Sequence, residues 1–189
     1  SPGTWEECGT LRVARRGRKP GTATYRMVQH RDSLASDRRL SETSSEYVCA
    51  LDEPAILPLK DGQFDMLCMG EGETLARRPY SLVNGETETD LVRLCIKILP
   101  HGAVSSLLPA LKAGDTVRID GPYGAFTLKP AEEGWARQFI ATGTGIAPFV
   151  SMLRSFLPND NRPARLIYGN RSEDEIMYGD ELAELAAQY

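Results

Sequence analysis

Histidine and cysteine are scarce in this chain, with two His and four Cys in 189 residues. His30 and His101 each stand alone, so no Ser–His or Cys–His arrangement for nucleophilic catalysis is encoded. Cys8, Cys49, Cys68 and Cys95 are scattered without a Cys-x-x-Cys pair. That excludes a cysteine-ligated iron–sulfur cluster and a zinc knuckle, and no metal site is expected. No apolar run is long enough to span a membrane, and no stretch reads as a signal peptide. Three of the cysteines lie in apolar, strand-like runs, where a buried, reduced thiol is the ordinary state. A reducing compartment, the cytoplasm, is the expectation. Internal repeats are missing too. Net charge is −4, which argues against nucleic-acid binding. The charge is uneven: residues 1–40 hold nine Lys/Arg and four Asp/Glu, a balance of +5, and the remainder carries −9.

What is present is a core's worth of apolar residues, 41% of the chain, in two successive patterns. Residues 1–21 have no clear period. With Arg15-Arg16-Gly17-Arg18-Lys19 they read as a basic, flexible arm. Thr22–Gln29 can form a first strand, and Arg31–Ser45 reads as loop with one helical turn at most. From there short strands follow one another: Glu46–Leu51, Gln63–Met69, Tyr80–Val83, Leu91–Leu99 and Thr116–Ile119. Asp61-Gly62, Asn84-Gly85 and Ala113-Gly114-Asp115 punctuate them. Five or six strands so spaced predict a small antiparallel β-barrel over residues 22–130. Asp65 is out of place in Gln63-Phe64-Asp65-Met66-Leu67: it faces outward, or it is buried at a cost.

After Pro130 the pattern becomes strand, helix, strand, helix, and Ala131-Glu132-Glu133-Gly134 reads as the linker. The chain is therefore an α+β protein of two domains, with an α/β parallel-sheet domain over residues 131–189. Its centre is Phe139-Ile140-Ala141-Thr142-Gly143-Thr144-Gly145-Ile146-Ala147-Pro148-Phe149. A buried strand ends in two glycines, and a helix with Ile146, Phe149, Val150, Leu153, Phe156 and Leu157 on one face begins. Glycines let a phosphate approach the backbone, and a helix N-terminus favours its charge. Pro148 suits a first helical turn. Ala164–Tyr168 is the second strand of a βαβ unit. The same pattern also serves a purely structural turn. Where a dinucleotide fingerprint has its third glycine this chain has Pro148, and the second strand ends in Gly169-Asn170-Arg171 without a carboxylate for a ribose. The final helix begins near Asp180, which can cap it, and shows Leu182, Leu185, Ala186 and Tyr189 on one face.

Three other stretches can carry chemistry. In Arg78-Pro79-Tyr80-Ser81, strand alternation puts Arg78 and Tyr80 on one face: a guanidinium for phosphate and an aromatic plane for stacking, with a hydroxyl beside them. An edge strand with a buried tyrosine reads the same way. Gly102-Ala103-Val104-Ser105-Ser106 precedes a short apolar helix that either serine can cap, leaving N–H groups for an anion. Gly121-Pro122-Tyr123-Gly124-Ala125-Phe126 reads as a tight turn leaving the barrel.

The order of these stretches, closing with Tyr168-Gly169-Asn170-Arg171-Ser172-Glu173-Asp174-Glu175, resembles the ferredoxin–NADP reductase superfamily over roughly residues 46–189. The resemblance implies a six-stranded antiparallel flavin-binding β-barrel followed by a nicotinamide-nucleotide domain, of which residues 131–189 would be an incomplete α/β parallel-sheet part. It implies that Arg78 and Pro79 lie at the flavin pyrophosphate, and that Gly102, Ala103, Val104 and Ser105 hold the same group. Tyr80 would stack on the isoalloxazine and Ser81 would hydrogen-bond near its N5, the two groups nearest the chemistry. Thr142, Gly143, Thr144 and Gly145 would receive the nicotinamide nucleotide. It implies FAD rather than FMN, NAD(P)H as the electron donor, and an iron–sulfur or haem protein as the acceptor. Two other readings stand beside the reductase: a flavin subunit fed by a partner protein, and a docking module without catalysis. In that family more parallel strands follow, so the C-terminal domain is expected to be truncated at Tyr189, with reduced turnover of NAD(P)H.

Overall fold

The computed structural model describes residues 28–53, 58–129, 136–160 and 162–189. The basic arm at 1–21, the first part of the strand expected from Thr22, Cys8 and the linker at 131–134 lie outside the described residues.

Six antiparallel strands form the first unit: β1 (Val28–Arg39), β2 (Ser44–Glu53), β3 (Phe64–Met69), β4 (Ala76–Ser81), β5 (Leu91–Lys97) and β6 (Thr116–Tyr123). Their order in the sheet is β4-β3-β6-β1-β2-β5. The outer strands β4 and β5 come together at a Leu82–Leu94 bridge just past β4. The barrel therefore curls toward closure but keeps β4 as a largely open edge.

Three expectations are corrected. The charged stretch from Arg31 is the long strand β1 rather than loop, because pairing with both β2 and β6 supplies its backbone with partners. Residues 35–39 are exposed on both faces, so no apolar alternation marks the strand in the sequence. Gly121–Tyr123 is not a turn but the end of β6, paired with Val28 and Phe64. The apolar helix expected after Gly102 is a series of turns followed by a single 3₁₀ turn, Leu108–Ala110.

Strand alternation sorts the barrel's two faces. Val92, Leu94 and Ile96 on β5 point inward with Leu34, Tyr47, Leu67, Val117 and Ile119. Cys95 is buried on the outer face, which explains an unbroken buried run at 94–96. Asp65 alternates inward with Leu67 and is fully buried. Among the described residues neither of its oxygens has a hydrogen-bond partner. Gly121 makes the room: a Cβ there would fall 1.8 Å from Asp65 Oδ1. Burial, then the charges of Asp32 and Asp120, push this carboxyl from 3.8 to about 8.

The second unit pairs β7 (Arg137–Thr142) and β8 (Ala164–Gly169) in parallel through helix α1 (Ala147–Phe156), and ends in α2 (Gly179–Gln188). Phe139 and Ala141 are buried, but Ile140 and its ladder partner Ile167 are exposed. The strand expected to be buried throughout is covered on one face only. Helix α2 is entered from Tyr178, whose φ is +60°, and no side chain caps it, so Asp180 lies in its first turn instead. Of its expected apolar face, Leu182 and Leu185 are half-buried, whereas Ala186 and Tyr189 are exposed.

The state of Asp65 sets a pH dependence. The folded chain keeps a proton that the unfolded chain releases, so this residue's stabilising contribution is full below about pH 4 and is lost as pH rises toward 8. Urea denaturation at pH 5 and pH 8 should show a smaller pH difference for Asp65→Asn than for the parent. An equal difference in both would contradict a neutral Asp65.

Candidate functional site

The open edge of the barrel carries the first group of expected site residues. On β4, Arg78 is exposed and its Nη1 donates to the carbonyl of its neighbour Arg77 at 2.8 Å. Pro79 is exposed and costs nothing here, since an edge strand tolerates the missing donor. Tyr80 is half-buried against the barrel core, paired across the ladder with Asp65. Burial raises its phenol pKa and Arg78 opposes the rise, so the phenol is neutral. Ser81 is partly exposed at the strand's end.

The second group is a loop folded on itself. Leu99 N–H donates to Ser105 Oγ at 3.2 Å, and Ser106 Oγ donates to the Gly102 carbonyl at 2.6 Å. Neither serine caps a helix; both hydroxyls close the turn. A Cβ at Gly102 would meet Ser105 Oγ at 2.2 Å, so a side chain there would displace the serine hydroxyl. Val104 is fully buried in the barrel core and anchors the loop, whereas Ala103 is exposed.

The third group, Thr142 to Gly145, leaves β7 and enters α1 through the 3₁₀ turn Gly143–Ile146. Gly143 has φ +50°, and a Cβ at either Gly143 or Gly145 would meet nothing within 4 Å. The backbone is bare toward solvent. Tyr168 on β8 steadies it by donating its hydroxyl to the Gly143 carbonyl at 3.0 Å. Pro148 is in the first turn of α1 as expected.

The first and third groups meet across a common apolar seam. Val83, two residues after Ser81, packs with Ile146, Ala147 and Val150 at the start of α1. Cys95 joins them from the outer face of β5, with Met177 Sδ at 3.6 Å from its thiol. Beside it Tyr178 Oη donates to the buried Glu46 at 3.0 Å. Two concavities, of about 400 and 570 Å³, lie elsewhere, at Arg38–Leu40 against the start of α2 and between α1, β8 and α2. The candidate site thus joins an open strand edge and a glycine loop through one apolar contact.

Burial lifts the Cys49 and Cys95 thiols to about 12 and Cys68 to about 11. Thiolate chemistry is accordingly unfavourable at these positions. No group of His, Cys, Asp and Glu suited to a metal occurs among the described residues, and no helix there is long and apolar enough to cross a membrane.

Residues 32–128 match the family model described as the oxidoreductase FAD-binding domain, and residues 139–189 match the oxidoreductase NAD-binding domain. The chain belongs to the oxidoreductase FAD-binding domain family. With its barrel and following α/β unit, it is a member of the ferredoxin–NADP reductase superfamily. It is similar to the propane 2-monooxygenase reductase component of Mycolicibacterium smegmatis, 36% identical over 138 residues, 70% of this chain and 38% of that protein. It is also similar to NADH-cytochrome b5 reductase 1 of Dictyostelium discoideum, 31% identical over 140 residues, 73% of this chain and 49% of that protein. Among solved structures, the Amycolatopsis cytochrome P450 reductase GcoB superposes with a TM-score of 0.80 at 28% identity, covering 89% of this chain and 51% of that one. The chain therefore spans about half the length of these relatives or less.

The residues present fit the family's group: an unshielded guanidinium, a neutral half-buried phenol and a hydroxyl share one open edge, and a bare glycine backbone lies across the seam. Sequence reasoning missed the residues that hold these parts together, Asp61, Ser151 and Arg154. Only a serine and an arginine inside an amphipathic helix signalled them.

The two glycines of the loop should behave differently. Gly143→Val forces a branched side chain into the left-handed region and should cost about 1–2 kcal/mol in urea denaturation. Gly145→Ala, outside that region and facing open space, should be near neutral. Equal effects would contradict this loop conformation.

Proposed function

We propose that this chain is the flavin-binding part, with the beginning of the nucleotide-binding part, of a reductase that passes electrons from NAD(P)H through FAD to a protein acceptor. The observation that carries the reading is the seam: the strand with Arg78, Tyr80 and Ser81 runs within two residues into Val83, which packs against the end of the Thr142–Gly145 loop. Donor loop and flavin strand therefore sit on opposite sides of one packed contact.

In this reading residues 22–130 form the flavin domain and 131–189 the beginning of the nucleotide domain. Arg78 pairs with the pyrophosphate, beside Pro79, through charge-assisted hydrogen bonds. Gly102, Ala103, Val104 and Ser105 offer backbone to the same group, since the serine hydroxyl is already engaged. Tyr80 supplies the stacking face, and its neutral phenol adds no charge there. Ser81 offers a hydroxyl near the reacting edge. Thr142, Gly143, Thr144 and Gly145 receive the nicotinamide nucleotide on bare backbone. When bound, FAD supplies the redox chemistry itself, accepting a hydride and releasing electrons singly. The protein's work is to bind, orient and exclude water. No side chain is required as a strong acid or base, which agrees with the scarcity of histidine and the protonated thiols. The likeness to a monooxygenase reductase component, a cytochrome b5 reductase and a cytochrome P450 reductase supports a protein acceptor; in this reading it is a haem or iron–sulfur protein.

Loss of the guanidinium should weaken flavin binding and spare the barrel. A charged hydrogen bond is worth about 1.5–3 kcal/mol, so Arg78→Ala should lower FAD affinity roughly tenfold to a hundredfold with an unchanged circular dichroism spectrum. Full retention of flavin through gel filtration would contradict the assignment. Anaerobic mixing with NADH and with NADPH tests the donor half: bleaching of bound flavin supports it, and a flavin that neither nucleotide reduces speaks for electron supply by a partner protein.

A further inference from the structure

Helix α1 is buried on more sides than its apolar pattern requires. Ser151 is completely buried, although it lies off the stripe that faces β7. A hydroxyl in such a place destabilises the fold unless it is hydrogen-bonded. Its single proton lies between two acceptors, Asp61 Oδ1 and the Asn84 carbonyl, each at 3.0 Å. Both belong to the barrel. Asp61 Oδ1 also accepts from Glu86 N–H at 3.1 Å, so one carboxylate ties the turn before β3, the loop after β4 and helix α1 together.

The loop after β4 is itself rigidly built. Asn84 Nδ2 donates to the carbonyls of Glu88 and Leu91, and its Oδ1 accepts from Arg93 N–H. Every polar atom of that side chain is used to fold residues 84–93. Gly85 lets the helix come close: a Cβ there would lie 3.1 Å from Ser155 Oγ and 3.2 Å from Asp61 Oδ1. One helical turn beyond Ser151, on the same face, Arg154 Nη1 donates to the Val83 carbonyl at 3.2 Å. The same guanidinium grips Glu181 of α2 through two hydrogen bonds, at 2.6 and 3.0 Å.

We infer that Ser151, with Asp61 and Asn84, is a positioning clamp that fixes the glycine loop ahead of α1 relative to the strand carrying Arg78, Tyr80 and Ser81. Arg154 extends the clamp to α2. The bonds land on the carbonyls of Val83 and Asn84, two and three residues past Ser81, and on a helix that begins at the end of the loop. Misplacement is thus passed along stiff elements at both ends. The inference rests on the proposed function for its consequence in hydride transfer, and on geometry alone for the clamp. Ser151 touches neither of the groups it positions.

The test uses the full chain with its flavin and the variants Ser151→Ala and Asp61→Asn, the second of which keeps an acceptor oxygen for Ser151. Amide hydrogen exchange comes first, because it does not depend on turnover. Ser151→Ala should speed exchange at residues 83–88 and at 142–146 together, and leave β1 to β6 protected. Asp61→Asn should do so much less. Unchanged exchange at 142–146 in Ser151→Ala would overturn the clamp, whether or not any nucleotide reduces the flavin. Stopped-flow reduction of the flavin by NADH or NADPH comes second. The limiting rate of Ser151→Ala should fall about tenfold to a hundredfold, as angstrom-scale misplacement does, while the nucleotide concentration for half-maximal rate and the flavin content stay near those of the parent. A limiting rate equal to the parent's, with exchange raised, would overturn the positioning role in hydride transfer. Should the parent itself resist reduction by both nucleotides, the donor reading fails, and the exchange result alone decides the clamp.

Discussion

Val83 and Cys95 leave the barrel's outer surface and pack among Ile146, Ala147, Val150, Met177 and Tyr178. On this contact depends the arrangement of everything else. Each buried aliphatic side chain of this kind contributes on the order of 1.5–3 kcal/mol, so the patch outweighs what a short linker could enforce. Polar groups then give it direction. Glu46, buried on the outer face of β2, receives the Tyr178 hydroxyl and lies near Arg38 and Arg93. Ser151 and Arg154 do the same on the other side. Apolar area supplies the adhesion, and the hydrogen bonds select one register.

The architecture was legible where a period was clean. The strands near 46, 63, 91 and 116, the βαβ unit around Gly143 and the helix face from Ile146 to Leu157 all stand where hydrophobic spacing puts them. It was illegible where tertiary partners, not local pattern, decide. Arg31–Arg39 is charged and carries no apolar run, yet two neighbouring strands make it β1. Ser105 and Ser106 look like caps, but their hydroxyls find partners within their own turn. Asn84-Gly85 reads as a turn between strands, and its use as a seat for α1 needs three dimensions. The candidate site was readable as residue types in order. Its coherence was not, because the residues that join its halves are 67 and 90 positions apart in the chain.

Burial holds several ionisable groups of the barrel protonated. Three thiols are held protonated by burial, and Asp65 is raised to about 8 by burial and two nearby carboxylates. At the rim, Arg77 of β4 and Arg118 of β6 pair with Asp120 at 3.7 and 3.5 Å, while Arg78 of β4 is exposed. An exposed guanidinium on an open edge suits an anionic ligand laid along the edge rather than one enclosed in the barrel.

The most direct measurement of that account is amide chemical-shift mapping of the flavin-free chain titrated with FAD. The account predicts one FAD per chain, with the largest shifts at residues 76–83 on β4 and at 102–106, and small ones on β8 and α2. Shifts confined to residues 137–189, or none at saturating FAD, would contradict it.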